Sequence, residues 1–372
     1  MTEAAIPLAD PRAAYREHKA DFDAAIERVL ESNSYILGAE VQAFERELAA
    51  SIGVSDAVGV GNGTDALVLA LMGLGIGPGD LVATVAHTAV PTVAAIFQTG
   101  AQPLLVDVDQ YGNLDPAHLA AAVMADKERR IRAVVPVHLY GQMADMPRIL
   151  EIAVAHGAVV VEDCAQAQGA SMHGRPAGSW GDAAAFSFYP TKNLGAFGDG
   201  GAIATDKPDL AERLRALRQY GWKDRLVVMP GGQNSRLDEV QAAILRIKLA
   251  HLEADNDRRR ALADIYAARL PREVAPPCRE NTRHVYHLYV VTCPDRAETQ
   301  RVLAAAGIGT AVHYALPVHK HPGYNGLVAL APGGLPRTEA LASRILSLPM
   351  YPQLKAAYAE QVAEAVRRSL GL

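Results

Sequence analysis

Short apolar runs alternate with stretches of helical spacing along the chain from about residue 56. The runs that predict buried strands are 57–60, 81–85, 103–106, 133–137, 158–161, 183–188 and 202–205. The stretches between them that predict helices are 65–72, 91–98, 116–124 and 146–155. Repeated strand–helix–strand units predict an α/β fold with a mostly parallel sheet sandwiched by helices. Ligands of such sheets bind beyond the carboxyl ends of the strands, so we expect the chemistry there.

The pattern changes after Thr205. Two long helical stretches are predicted at 208–220 and 237–268, and a group of prolines beginning at Pro271 ends the second. The segments that then predict a smaller α/β domain are 287–292, 297–306 (helix-like) and 312–314. We therefore assign residues 1–255 to a large domain with an N-terminal helical segment, and residues 256–372 to a small C-terminal α/β domain.

Composition narrows the class of protein. The 372 residues are 50% hydrophobic and 21% charged, which is typical of a folded chain with a substantial core. A formal net charge of -5 argues against general binding of nucleic acid or anionic membranes. Cys164, Cys278 and Cys293 have no metal-like spacing, so no metal site is expected and a reducing compartment fits. Residues 1–10 lack the apolar run of a signal peptide, so we expect a cytoplasmic protein.

The first chemistry-bearing segment is Gly-Asn-Gly-Thr-Asp-Ala-Leu at residues 61–67. It follows a predicted strand and opens a helix, so free backbone N–H groups and the helix dipole face the sheet edge. The hydroxyl of Thr64 can add a donor to a bound phosphate. An ordinary strand–helix turn remains the alternative. A dinucleotide-binding fingerprint fits poorly, because Thr64 stands where its third glycine belongs.

Two further segments end predicted strands. Val-Val-Val-Glu-Asp-Cys-Ala-Gln at 159–166 carries Asp163, whose carboxylate could pair with a protonated ring nitrogen or cap the next helix. In 187–195 a tight loop presents Lys192, which is either a solvated surface charge or an amine activated for imine formation. A phosphate turn, an acid and a lysine at one sheet edge match the phosphate, ring nitrogen and aldehyde of pyridoxal 5'-phosphate.

Taken together, these segments resemble the DegT/DnrJ/EryC1/StrS family, a sugar-modifying branch of the fold-type I pyridoxal-phosphate enzymes. The segments that carry the resemblance are 61–67, 87–88, 137–142, 162–166, 187–201, 234–239 and 346–352. They span most of the chain in the order that the family has. The resemblance implies a fold-type I transferase with pyridoxal phosphate as its cofactor.

The resemblance also assigns roles around the cofactor ring. Lys192 would carry the cofactor as a Schiff base, and Asp163 would contact the pyridine nitrogen. Gln166 would lie near the ring hydroxyl. His87 stands where the family often has an aromatic ring stacked on the cofactor, although a core histidine near a strand end is the alternative. Because some relatives that act as dehydratases replace the lysine with histidine, Lys192 favours transamination.

The phosphate of the cofactor would be bound from both subunits of a dimer. The resemblance assigns Gly63, Thr64 and Ser187 to the phosphate of the same subunit. Asn234 would reach the phosphate bound by the neighbouring subunit, which implies a homodimer with shared active sites.

The substrate-reading residues are less well defined by the sequence. Arg236 could bind a carboxylate or phosphate, or form a salt bridge at the start of a helix. His313, Tyr314 and His319 could line a sugar pocket or make an interdomain contact. Tyr189 could face the pocket, although aromatic residues at such positions more often pack.

The function implied is transfer of an amino group from an amino acid, glutamate on family resemblance, to a nucleotide-linked keto sugar. Fragments 87–90 and 220–222 resemble members that act at ring carbon 3. Two substrates using one site in turn imply ping-pong kinetics. A keto-cyclitol aminotransferase and a non-catalytic cofactor-binding regulator are the alternatives.

Overall fold

A computed structural model describes residues 5–223 and 227–372. The prediction that residues 1–10 do not form a signal peptide rests partly on residues 1–4, which lie outside the described residues. The helices are α1 Pro11–Glu17, α2 Lys19–Glu31, α3 Ala39–Ile52, α4 Gly63–Gly73, α5 Val90–Gln98, α6 Pro116–Ala125, α7 Met146–His156, α8 Pro208–Leu217, α9 Glu239–Arg269, α10 Arg296–Ala305, α11 Pro336–Arg344 and α12 Ala356–Ser369. The strands are β1 Asp56–Val60, β2 Leu81–Val85, β3 Gln102–Val106, β4 Ile131–Val134, β5 Val159–Asp163, β6 Ser171–Met172, β7 Arg175–Pro176, β8 Ala183–Ser187, β9 Gly201–Thr205, β10 Thr282–Arg283, β11 Tyr289–Thr292, β12 Ala329–Leu330 and β13 Ile345–Leu348.

Eight strands form the central sheet in the order β1-β9-β8-β5-β4-β2-β3-β12. Only the pairings of β9 with β1 and with β8 are antiparallel, so the prediction of a mostly parallel sheet is confirmed. All seven strands predicted from the apolar runs are present in it. The parallel arrangement brings the carboxyl ends of β1, β5 and β8 to one edge of the sheet.

Helices cover both faces of this sheet. Alternate residues of each strand point to opposite faces, so strands that are apolar throughout pack against helices on both sides. In β1, Val58 and Val60 pack in one core with Leu67 of α4 and Leu214 of α8. Ala57 packs in the other core with residues of α3, α6 and α7. The central strands are apolar on both faces, as expected of a sheet that is buried on both sides.

The C-terminal third forms its own core around α10, α12, the pair β11–β13 and the second half of α9. The stretch 312–314, expected as part of the small α/β domain, forms neither helix nor strand: Val312 is irregular, His313 and Tyr314 lie in a turn, and the neighbouring Ala311 makes a bridge to Ser347. Helix α9 runs without a break through residue 255. The division into domains at that residue stays a prediction, and one helix is shared by both parts.

Two further expectations bear on the environment of the protein. The three cysteines are all unpaired. Within the described residues, no helix combines the length and the apolarity needed to cross a membrane. The cytoplasmic location stays a prediction.

Candidate active site

Lys192 lies in the tight loop that follows β8. Its backbone N–H donates to the carbonyl of Tyr189 at 2.8 Å, which closes the turn, and its side chain is half-buried. Burial lowers the pKa of Lys192 to about 8, while the charge of Asp163 opposes this shift. A lysine with this pKa has a substantial neutral fraction near neutral pH and is therefore a usable nucleophile.

Asp163 and Glu162 end β5 side by side but have different surroundings. Glu162 is fully buried and accepts from His138 Nε2 at 2.9 Å and from three backbone N–H groups of residues 178–181. Asp163 accepts from Thr92 Oγ1 at 2.8 Å and from the N–H of Ala165 at 3.1 Å. Glu162 is thus fully engaged by the protein, whereas the carboxylate of Asp163 keeps acceptor capacity for a ligand.

The ionisation of Asp163 is a balance of opposing effects. Burial raises the pKa of its carboxyl, and the hydrogen bonds from Thr92 and Ala165 lower it. The charge of Lys192 lowers it further, so the predicted acid and the predicted lysine lie within electrostatic reach of each other. Asp163 forms no salt bridge among the described residues, and a buried carboxylate favours a cationic partner at hydrogen-bonding distance.

His138, Glu162 and Cys164 offer ligand atoms within 4.8 Å of one another, which is close enough to share a cation. His138 uses Nε2 on Glu162, and its Nδ1 accepts from the N–H of Ala144 at 3.1 Å. Burial raises the pKa of Cys164 well above its ordinary value, which disfavours the thiolate that metals bind. The group is therefore explained by structural hydrogen bonds, and the expectation of no metal stays a prediction.

The turn before α4 provides a cradle for an anion. Asn62 caps the helix by accepting from the N–H of Asp65 at 2.9 Å, so Gly63 and Thr64 form the first turn with backbone N–H groups free for a ligand. Gly63 lies directly against Ser187 at the end of β8: a Cβ on this glycine would come within 2.6 Å of the Ser187 Cβ. Three residues that the sequence assigned to the phosphate are therefore brought together.

Gln166 connects Tyr140 with Tyr314. Its Oε1 accepts from the N–H of Tyr140 at 2.8 Å, and its Nε2 donates to the hydroxyl of Tyr314 at 3.2 Å. Burial raises the pKa of Tyr314 to about 12, so this hydroxyl stays protonated, and the charge of Asp163 adds to the shift. The imidazole of His313 instead lies 2.8 Å from Ser347 Oγ on β13. Tyr314 thus borders the site.

His87 is fully buried, and its Nε2 lies 2.6 Å from the hydroxyl of Tyr140. That hydroxyl donates to the carbonyl of His313, so it must accept from His87, which fixes the proton on Nε2. Burial lowers the pKa of His87 to about 4 and keeps the ring neutral. Its Nδ1 is buried without a partner among the described residues. The structure leaves both interpretations of His87, stacked ring or core residue, as predictions.

Sequence reasoning missed the residues that hold the lysine loop. Helix α9 binds it at three points: Gln241 Oε1 accepts from Phe197 N at 2.9 Å, and Lys248 donates to the carbonyl of Gly195 at 2.6 Å. At the third point Asn256 Oδ1 accepts from the side-chain amide of Asn193. Polar residues at 241, 248 and 256 recur every two helical turns, and that spacing is a signal from which this face could have been predicted.

Four other predicted residues lie away from this cluster or at its rim. Tyr189 is 54% exposed, and Asn234 is exposed. His319 is buried against α11 with Nε2 3.0 Å from Glu339, which is the contact expected of a structural residue. Arg236 is half-buried just before α9. Their roles stay predictions.

Comparison with known proteins gives concordant matches. The sequence profile of the DegT/DnrJ/EryC1/StrS aminotransferase family matches residues 16–367. The dTDP-3-amino-3,4,6-trideoxy-alpha-D-glucose transaminase of Streptomyces venezuelae is 49% identical over 97% of this chain and 95% of its own. The UDP-N-acetyl-3-dehydro-alpha-D-glucosamine 3-aminotransferase of Acidithiobacillus ferrooxidans is 41% identical over 98% of each. A crystal structure of S. venezuelae DesV in complex with a ketimine intermediate, 47% identical, superposes with a TM-score of 0.93 over 99% of this chain and 98% of that one.

Proposed function

The chain belongs to the DegT/DnrJ/EryC1/StrS aminotransferase family, and we propose that it transfers an amino group from glutamate to the C3 ketone of a nucleotide-linked deoxysugar. Three sequence predictions are confirmed: the chain is an aminotransferase, its fold is that of fold-type I, and its cofactor is pyridoxal phosphate. The observation that carries the proposal is the placement of an anion cradle, a buried carboxylate and a lysine with a lowered pKa at one sheet edge.

The residues present fit the cofactor group by group. Gly63, Thr64 and Ser187 would bind its phosphate, because the glycine leaves no side chain between the helix N-terminus and the serine. Asp163 would pair with its ring nitrogen and hold that nitrogen protonated. Lys192 would hold it covalently through its amine.

When bound, pyridoxal phosphate supplies an aldehyde that takes up an amino group and a protonated ring that withdraws electrons. Lys192 Nζ would take up and release a proton at the substrate carbon, and the lowered pKa of its amine, about 8, suits that role. Asp163 would hold the proton on the ring nitrogen. Since donor and acceptor use one site in turn, ping-pong kinetics follow.

The choice of substrate rests on the relatives. One is named for a nucleotide-linked 3-amino sugar and another for amination at C3 of a nucleotide-linked 3-dehydro sugar. This supports a nucleotide sugar over a keto cyclitol as the amino acceptor. A non-catalytic regulator would not require an activated lysine within reach of a buried carboxylate, which favours an enzyme.

We also propose a homodimer with shared sites. Asn234 is exposed, and the adjoining Ser235 accepts from the N–H of Gly61 at 2.9 Å, at the base of the phosphate cradle. Tyr35 and Ile36 are about half exposed beside the same segment, which Ile36 joins through a bridge to Asp238. Exposed apolar residues that border an active site favour a protein interface there. Asn234 of the partner would then complete the cradle.

The proposal is tested by the absorbance spectrum of the purified protein, before and after glutamate. We expect a visible band that glutamate bleaches in the wild type and in the surface control Lys207→Ala, but not in Lys192→Ala. A panel of keto nucleotide sugars and keto cyclitols then identifies the acceptor. A wild type without the band, even with added cofactor, contradicts the assignment of Lys192, and turnover of cyclitols alone contradicts the substrate class.

A further inference from the structure

Two threonine hydroxyls form a chain behind the carboxylate of Asp163. Thr92 Oγ1 donates to Asp163 Oδ2 at 2.8 Å, and Thr88 Oγ1 lies 2.9 Å from Thr92 Oγ1. The two threonines are 2% exposed and Asp163 is 4% exposed. Because the hydrogen of the Thr92 hydroxyl is used on the carboxylate, Thr88 must be the donor to Thr92. The chain therefore has a fixed direction, from Thr88 through Thr92 to Asp163.

The start of α5 fixes this chain in place. Thr88 precedes the helix and Thr92 lies in its first turn, which also contains Pro91. The first turn of a helix favours negative charge nearby, so it acts in the same sense as the hydroxyl donors. The other carboxylate oxygen, Oδ1, accepts from the N–H of Ala165. One oxygen is thus held by the backbone after β5 and the other by α5, which defines the plane of the carboxylate.

We propose that Thr92 and Thr88 are positioning residues that keep the Asp163 carboxylate charged and aimed at the ring nitrogen of the cofactor. This inference rests on the proposed function, specifically on the pairing of Asp163 with that nitrogen. A hydrogen bond donated to a charged oxygen is stronger than one between neutral groups, and it is strengthened again when its donor itself accepts a hydrogen bond. Thr92 acts directly on the carboxylate and Thr88 acts through Thr92.

The test compares binding of pyridoxal phosphate with binding of its carba analogue, in which CH replaces the ring nitrogen. The ratio of the two dissociation constants isolates the interaction with the nitrogen from effects on the rest of the pocket. Thr92→Val removes the hydroxyl at nearly constant volume, and Thr92→Ser keeps it. Thr84→Val is the matched control, because Thr84 is equally buried on β2 but donates to the carbonyl of Val135.

We expect the preference for the natural cofactor to fall about tenfold in Thr92→Val, the loss of one hydrogen bond to a charged group. A smaller fall is expected in Thr88→Val, and no change in Thr92→Ser or Thr84→Val. In Thr92→Val and, to a smaller extent, in Thr88→Val, kcat falls with the preference, while the KM for glutamate stays near that of the wild type, because both threonines are buried behind Asp163.

Different outcomes separate the inference from the function on which it rests. A wild type that prefers pyridoxal phosphate, together with a Thr92→Val that keeps this preference, overturns the inference alone. Equal losses in Thr92→Val and Thr84→Val also overturn it, since they indicate a general packing effect. A wild type with no preference contradicts the role of Asp163 itself. If Thr92→Val does not fold, Thr88→Val decides, and an unchanged ratio there refutes the hydroxyl chain.

Discussion

The side-chain amide of Asn193 donates to Asn256 Oδ1 at 2.8 Å, which links the residue next to Lys192 to the middle of α9. Asn193 also donates to the carbonyl of Val285 at 3.0 Å, and its Oδ1 lies 3.2 Å from His287 Nδ1. Since α9 packs in the cores of both parts of the chain, this contact couples the position of the lysine to the packing of the C-terminal part.

Replacing Asn256 with alanine is expected to impair both stability and cofactor loading. The variant leaves the half-buried amide of Asn193 and the carbonyl of Gln168 each short of one partner, which costs about 1–3 kcal/mol in the free energy of unfolding. Covalent uptake of cofactor slows because the loop is held less firmly. Urea unfolding and the growth of the visible band measure the two effects. The exposed Asn325→Ala serves as control, and unfolding curves that coincide with the wild type would contradict the prediction.

Covalent uptake of cofactor by the apoprotein is expected to depend on pH through Lys192. Only the neutral amine reacts, and burial lowers its pKa to about 8, so the uptake rate rises with pH and half-saturates near that value. Asp163 opposes the shift through its negative charge, so Asp163→Asn moves the midpoint to lower pH. Stopped-flow absorbance between pH 6 and about 10 measures the midpoint. A rate that has not begun to level off at the top of this range, as expected of a lysine with the ordinary pKa of 10.5, refutes the buried environment.

Gly63→Ala is expected to weaken cofactor binding and destabilise the fold. The added methyl group would come within 2.6 Å of Ser187 Cβ and 3.1 Å of its backbone Cα, so β8 or α4 must shift. Such overpacking costs about 1–3 kcal/mol. Gly323→Ala is the control, because a Cβ there meets nothing within 4 Å. Thermal unfolding measures the loss of stability. The affinity for pyridoxal phosphate relative to that for pyridoxal measures the loss of phosphate binding. Equal affinities for the two variants would show that no close contact exists at Gly63.

Shared active sites predict complementation between two inactive variants. In a mixed dimer of Lys192→Ala and Asn234→Ala, one site has both defects and the other has neither. The purified mixed dimer should therefore have up to about half the activity of the wild type, and a coexpressed population with random pairing about a quarter, whereas each variant alone stays weak. Sedimentation establishes that the mixed species is a dimer. An active monomer, or no gain on coexpression, rules out the role of the partner's Asn234.

Local sequence was sufficient to predict the central sheet and the segments that lie at its active-site edge. Apolar runs predict buried strands wherever they are bounded by polar turns, and parallel strands necessarily bring their ends to one edge. For that reason the turn at 61–67, Asp163, Ser187 and Lys192 could be predicted to lie at one sheet edge from local sequence, whereas the phosphate roles of Gly63 and Ser187 came from the family resemblance. Asp163 and Ser187 are the last residues of β5 and β8, Gly63 opens α4 shortly after β1, and Lys192 follows β8 by a single turn.

The contacts that hold these residues in place come from segments far apart in the chain, so they are seen only in the tertiary structure. Glu162 and Asp163 are adjacent in the chain, and their different roles come from the segments that fold over them. Asn193 meets Asn256 across 63 residues, and Gln166 meets Tyr314 across 148. The stretch 312–314, expected in the small α/β domain, forms neither a helix nor a strand, and beside it Ala311 bridges to Ser347 of β13. Hydrophobic periodicity records which side of an element is buried, but it carries no information about which partner buries it.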